Sequence, residues 1–277
     1  MRYVYHRSWL VNVYRPDRGR LVVESHYMDT ETEMTGIMVV GAGDYRVLEA
    51  RLETCRAQEA GSVGVIEVHG LRGLIAYPTA IRTFRQGLPG GDYGRRGDLF
   101  LEGLKGLLQA ELFVWKERGF ASMEDYDAWF EREYANSCVY YTHLDEVTQA
   151  FTAYVAGQDR ERCLFKRHRN CSLSRLDDDE LLLQAVISDS FHEVGIALRL
   201  EDTGHIKEAT ASIVRVPDPI CQRASQRVVH LVGLPLEPEA RKELITASGG
   251  PEGCAHIVDL VQEGAKALAL AKSSWIR

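Results

Sequence analysis

The sequence has no apolar run long enough to cross a bilayer, so no membrane-spanning helix is expected in it. It also has no basic excess: 33 Lys and Arg face 40 Asp and Glu, a formal net charge of −7. That balance leaves no phosphate-backbone footprint, and no stretch interleaves aromatic and basic residues, so nucleic acid is not an expected partner. A phosphate-cradling loop is missing, because "GGDYGRRGD" (90–98) has no strand before it and no Lys-Ser/Thr after it. A Ser-His-Asp nucleophile elbow is missing as well. The opening "MRYVYHRSWLVNVYRPD" carries Arg and His within its apolar stretch and no small-residue cleavage site, so it reads as a strand rather than a secretory signal. Cysteine is sparse: six residues, scattered along 277, suit thiols or ligands in a reducing cytoplasm and not a disulfide framework. What is present, 45% hydrophobic and 26% charged residues, is the profile of a globular chain of one large or two ordinary domains.

The chain is self-similar along its length. At an offset of 160, Arg7, Arg15, Asp17, Leu21 and Asp29 meet Arg167, Arg175, Asp177, Leu181 and Asp189. One residue is then lost, so that Gly36-Ile37 meets Gly195-Ile196, and Glu49-Ala50 meets Glu208-Ala209. Further on, Leu71, Gly73, Pro78 and Gly90 meet Leu231, Gly233, Pro238 and Gly250, and Gly97 and Leu104 meet Gly253 and Leu260. The collinear order of turn residues and apolar pattern predicts a tandem duplication, with intrachain packing of its copies.

Each copy predicts the same elements. "HRSWLVNVYR" and "GRLVVESHYMD" flank the turn "PDRG", and "GIMVVGAGDYRVLEARLETC" reads as two further strands joined at "GAGD". The later copy repeats them with turns at "LDDD" and "EDTG". Helical patterns follow in "PDPICQRASQRVVHLVGL", "EPEARKELITAS" and "CAHIVDLVQEGAKALALAK", the last with Ile257, Leu260, Val261 and Gly264 at helical spacing. Strands in succession followed by helices predict an α+β class: two antiparallel meanders of three to four strands, each with helices packed on one face. The expected divisions are a first repeat over 1–115, a helical connector over 116–160 and a second repeat over 161–277. Capping patterns at Ser122 and Thr142 predict two connector helices.

Four candidate ligands fall in the second repeat. His192 precedes its third strand, Cys221 sits at the first turn of a helix, and Cys254 and His256 open the last helix. Two thiolates and two imidazoles suit tetrahedral zinc, or iron, with an iron–sulfur cluster as a further option. A helix N-terminus also lowers a thiol pKa. Glu193 reads first as a solvated glutamate, with a carboxylate ligand or a partner that orients His192 as the alternatives. The first-repeat counterparts are Thr32 or Glu33, Gly61 or Ser62, Asp98, and Phe100, so all four soft ligands are missing from that copy. Asp189 matches Asp29 and reads as structural, and the remaining cysteines, Cys138 among them, form no expected cluster. The basic run "RERCLFKRHRN" (160–170) could hold an anion, although Arg167 echoing Arg7 favours a strand-face role.

At His192-Glu193-Val194, Pro217-Asp218-Pro219-Ile220-Cys221 and Gly253-Cys254-Ala255-His256-Ile257, the second repeat resembles a bacterial domain-of-unknown-function family, number 2889. That family carries His-Asp-Met, Pro-x-x-x-Cys and Gly-Cys-Thr-His-Leu at these places. The resemblance covers about residues 164–272 and implies no established activity. The order of ligands and elements is also similar to iron–sulfur scaffold proteins of the NifU/IscU type, which implies a small antiparallel sheet with helices on one side.

The functional expectation is a cytoplasmic metal-binding protein, its metal held by His192, Cys221, Cys254 and His256. Two alternatives stand beside it: a thiol enzyme with Cys254 or Cys221 as nucleophile, and a tandem interaction module whose Cys and His merely pack. A homo-oligomer or a protein partner is compatible with each.

Overall fold

The computed structural model describes residues 1–57, 62–88, 94–156, 158, 160–176 and 180–275. The "LDDD" turn beyond Leu176, the correspondences of Gly61, Gly90 and Asp177, and the start of the glycine-rich stretch at 90–93 lie outside them.

The strands are β1 (Arg2–Asp17), β2 (Arg20–Asp29), β3 (Glu33–Gly41), β4 (Val47–Arg56), β5 (Gly64–Glu67), β6 (Cys163–Arg175), β7 (Leu181–Asp189), β8 (Glu193–Leu200) and β9 (Ile206–Arg215). The helices are α1 (Ile81–Gln86), α2 (Arg95–Ala110), α3 (Met123–Glu133), α4 (Val139–Thr142), α5 (Phe151–Val155), α6 (Arg241–Ser248) and α7 (Ala255–Trp275). Helix and strand are therefore mixed, and the strands form one antiparallel sheet of nine in the order β5-β4-β3-β2-β1-β6-β7-β8-β9. Two separate small sheets were expected. Among the described residues, the single sheet has β5 and β9 as its edges, where two sheets would have four.

Alternation fixes the inner faces of β7 and β8. In β7, Leu181, Leu183, Ala185 and Ile187 are buried at every second position, and so are Val194, Ile196, Leu198 and Leu200 in the paired β8. A one-residue slip would turn both rows outward, so their register is strongly specified.

The chain divides into two compact units. One consists of Ser8–Asp127 and Gly157–His168. Here α2 lies on β2 and β3 through Leu99, Phe100, Leu104 and Leu107. The approach is close enough that a Cβ on Gly106 would lie 2.5 Å from the Val11 side chain, so no larger residue fits there. Buried Glu111 is held by Arg118 at 2.7 Å and by the Tyr77 hydroxyl at 3.1 Å.

The other unit consists of Met1–Arg7, Ala128–Ala156 and Arg169–Arg277. Helix α7 lies on β7 and β8, with Ile257, Leu260, Val261, Ala265 and Leu268 buried. Glu263 on the same helix reaches Arg7 at 2.5 Å and Arg169 at 3.1 Å, all three nearly inaccessible to water.

Two predicted helices are altered. Residues 219–231 wind as 3-10 turns rather than an α-helix, capped where Asp218 accepts from Ile220 N at 2.9 Å. The helix expected to start at Thr142 does not form; α4 ends there, and the chain resumes helix only at Phe151. The reason is again Asp218, whose carboxylate also accepts from Thr148 N at 2.8 Å, its hydroxyl at 2.6 Å and Gln149 N at 3.0 Å. Those amides are committed to a side chain and cannot enter a helical ladder. By contrast, α3 begins as its capping pattern predicts, with Ser122 Oγ accepting from Asp125 N at 3.1 Å.

Asp218 is 1% exposed. Burial opposes its ionisation, but the hydrogen bonds from Thr148, Ile220 and Gln149 outweigh that and hold its pKa below the ordinary value. Asp218→Ala is expected to cost roughly 2–4 kcal/mol in urea denaturation, because it strands several buried donors. A depressed folded-state pKa gives stability that is present above the unfolded-state value and lost as pH falls through the folded one. Urea midpoints from about pH 6 down to about pH 3 should therefore fall more steeply for the native chain than for Asp218→Asn.

Candidate metal centre

The site grows from a tight turn between β7 and β8. Asp189 N donates to His192 O at 2.8 Å, and Asp189 Oδ1 accepts from Phe191 N at 2.8 Å and His192 N at 2.7 Å. Arg215 at the end of β9 clamps the turn, donating to the carbonyls of Asp189 at 2.7 Å and His192 at 3.2 Å. The His192 ring is thereby held with Nδ1 3.2 Å from Asp189 Oδ1.

The third side chain comes from α7. The "GGPEG" segment folds back so tightly that a Cβ on Gly253 would lie 2.4 Å from the Gly249 carbonyl carbon. Gly253 N donates to Gly250 O, and Cys254 N to Ser248 O, which fixes where α7 begins. His256, its second residue, then points Nε2 at Asp189 Oδ2 from 3.8 Å. The His192 and His256 ring centroids are 4.1 Å apart. Asp189, His192 and His256 each bring one ligand atom within 4.8 Å of the other two. Asp189 is buried and both imidazoles are half-buried. Phe191 and Phe151 stand against the His192 ring and supply an apolar shell.

Of the sequence-selected residues, His192 and His256 are brought together. Cys221, Cys254 and Glu193 are outside this group of mutually close ligand atoms. Cys254 Sγ instead lies 3.9 Å from His256 Nδ1, on the ring edge away from Asp189. Cys221 and Cys254 pack half-buried against the apolar core with Cys138. Val139 N donates to Gly253 O, which draws the neighbourhoods of Cys138 and Cys254 together. Cys138 thus packs beside the other two thiols, and like them it is outside the group of mutually close ligand atoms. Burial pushes Cys221 up to about 12, helped by Cys138 and Cys254, and pushes Cys254 up to about 11. Free Cys221 is therefore expected to react with iodoacetamide at neutral pH on the order of a hundredfold more slowly than exposed Cys55. Mass-spectrometric labelling rates check this.

Asp189 is the residue that sequence reasoning set aside. Its match to Asp29 pointed to a structural role, and it has one, but the same carboxylate also faces two imidazoles. The available signal was the spacing Asp-x-x-His across a tight turn. Asp29 builds the corresponding turn in the other unit: its Oδ1 accepts from Glu31 N at 2.9 Å and Thr32 N at 2.7 Å. There Arg95 supplies the cationic partner, 3.7 Å from Asp29 Oδ2 and 2.6 Å from Thr32 Oγ1.

No helix of the described residues is long and apolar enough to cross a membrane. No curated protein and no solved structure matches the chain. Residues 165–269, which enclose Asp189, His192, Cys221, Cys254 and His256, match a family described as protein of unknown function (DUF2889).

Proposed function

We propose that the chain binds one divalent metal ion through Asp189, His192 and His256. The observation that carries this is the convergence of one carboxylate and two imidazoles within 4.8 Å. Two imidazoles and a carboxylate suit zinc or ferrous iron and leave coordination positions for water or substrate. Cys254, against His256 Nδ1, would fix which ring nitrogen is free to ligate, a role outside the metal's own shell. This donor set is harder than the two-thiolate set expected from sequence, and it favours a mononuclear ion over an iron–sulfur cluster.

A second reading rests on the row Cys254 Sγ, His256 ring, Asp189 carboxylate, spaced 3.9 Å and 3.8 Å. Nucleophile, base and orienting acid stand in that order in thiol enzymes. The raised Cys254 pKa counts against an activated thiolate.

The tandem duplication is part of the same proposal. It is supported by paired hydrogen bonds: Val47 N to Leu74 O and Gly73 N to Val47 O match Ile206 N to Leu234 O and Gly233 N to Ile206 O. Arg56 caps the Asp29 turn as Arg215 caps that of Asp189. Free thiols throughout the described residues suit a reducing compartment such as the cytoplasm.

Metal analysis and absorption spectroscopy of anaerobically purified protein test the proposal. About one zinc or iron per chain without charge-transfer colour is the expected result. Brown sulfide-to-iron bands would replace it with a cluster, and a metal-free chain with rapidly alkylated Cys254 would replace it with the thiol enzyme.

A further inference from the structure

A cavity of about 550 Å³ opens in the unit formed by Ser8–Asp127 and Gly157–His168. It is lined by Arg15, Arg18, Phe113, Trp115, Lys116 and Glu117. Three cations face one carboxylate there, in a chain whose net charge is −7. Arg15 is fixed before any ligand arrives: its Nη2 donates to Phe113 O and lies 3.4 Å from Glu117, while its backbone N donates to Arg162 O at 2.7 Å. Its Nε is buried beyond a ligand's reach, while the side chain as a whole keeps 20% exposure, so contact with a ligand falls to the outer part of the guanidinium. Arg18 and Lys116 are exposed and can swing onto a bound anion.

The walls are not generic. Phe113 and Trp115 are half-buried, and cations already sit near both rings, with Lys116 5.1 Å from the Trp115 centroid and Arg160 5.0 Å from that of Phe113. An anion alone needs no aromatic wall, and an apolar ligand needs no guanidinium. The volume is that of a small-molecule site. We propose that this cavity binds a small aromatic carboxylate, its carboxylate on the Arg15, Arg18 and Lys116 side and its ring along Phe113 and Trp115.

Calorimetric titration of the full chain with naphthoate, with the uncharged naphthalene methanol and with inorganic phosphate tests this. Naphthoate should bind at least about tenfold more tightly than either comparison ligand, equivalent to about 1.4 kcal/mol. The double variant Arg18→Glu/Lys116→Glu changes only exposed side chains and should weaken naphthoate at least about tenfold. Arg15→Gln should do the same, and the double variant keeps the test valid if Arg15→Gln does not fold. Phosphate binding as tightly as naphthoate would reduce the cavity to a charge patch. Equal binding of the alcohol would reduce it to an apolar cleft. Either outcome, no binding, or variants that bind normally would overturn the proposal.

Discussion

Glu263→Ala is expected to lower the stability of its unit by about 3–5 kcal/mol, among the largest single-residue effects in the chain. Glu263 is the carboxylate shared by Arg7 and Arg169, and side-chain exposures of 1%, 3% and 4% keep all three from water. Removing it takes the shared counter-charge from two buried guanidinium groups. Replacing the whole set by Arg7→Met, Glu263→Leu and Arg169→Met should cost far less, because no buried charge is then left behind. Guanidinium denaturation checks both: the midpoint should drop for the single variant and largely recover for the triple one, at an unchanged slope. A full-size effect that survives high salt would mark the interaction as buried, since exposed pairs are screened.

That triad also shows where the sequence stopped being readable. Arg7 was visible only as the echo of Arg167, yet it pairs with Glu263, far along the chain and on a different element. Local signals served better. Alternating apolar residues in β7 and β8, the turns "PDRG", "GAGD" and "EDTG", and the helical spacing of Ile257, Leu260 and Val261 each act within a few residues, and each element stands where its pattern put it. The connector helix at Thr142 failed because Asp218, distant in sequence, claims the amides of Thr148 and Gln149. The union of the strands into one sheet depends on edge pairing, for which the sequence carries no local mark. At the site, residue chemistry singled out His192 and His256. Which donors meet was decided by the Gly249–Gly253 fold-back, which turns His256 Nε2 toward Asp189 and Nδ1 toward Cys254.

The second large effect is expected at Asp189. If it is a ligand, Asp189→Asn should lower zinc or ferrous-iron affinity by more than about a hundredfold, measured by competition with a chromophoric chelator. The amide keeps an oxygen that can accept from Phe191 N and His192 N, so the turn should survive while the negative charge is lost. Asp189→Ala removes both and should add a stability loss of roughly 1–3 kcal/mol. Cys254→Ala should weaken binding by about tenfold to a hundredfold if the thiol acts only through the His256 ring. Cys221→Ala should change affinity by less than about tenfold, being outside the three-residue group. A Cys221→Ala loss as large as that of Asp189→Asn would restore the two-thiolate site.

The turn at Asp29 gives such experiments an internal reference. A guanidinium from Arg95 is covalently part of the chain and cannot be chelated away, whereas an ion beside Asp189 could be. Carboxyl carbon resonances recorded before and after a chelator should shift for Asp189 and stay still for Asp29. A single spectrum would then carry both the responsive signal and its control, free of differences in concentration or folding between samples.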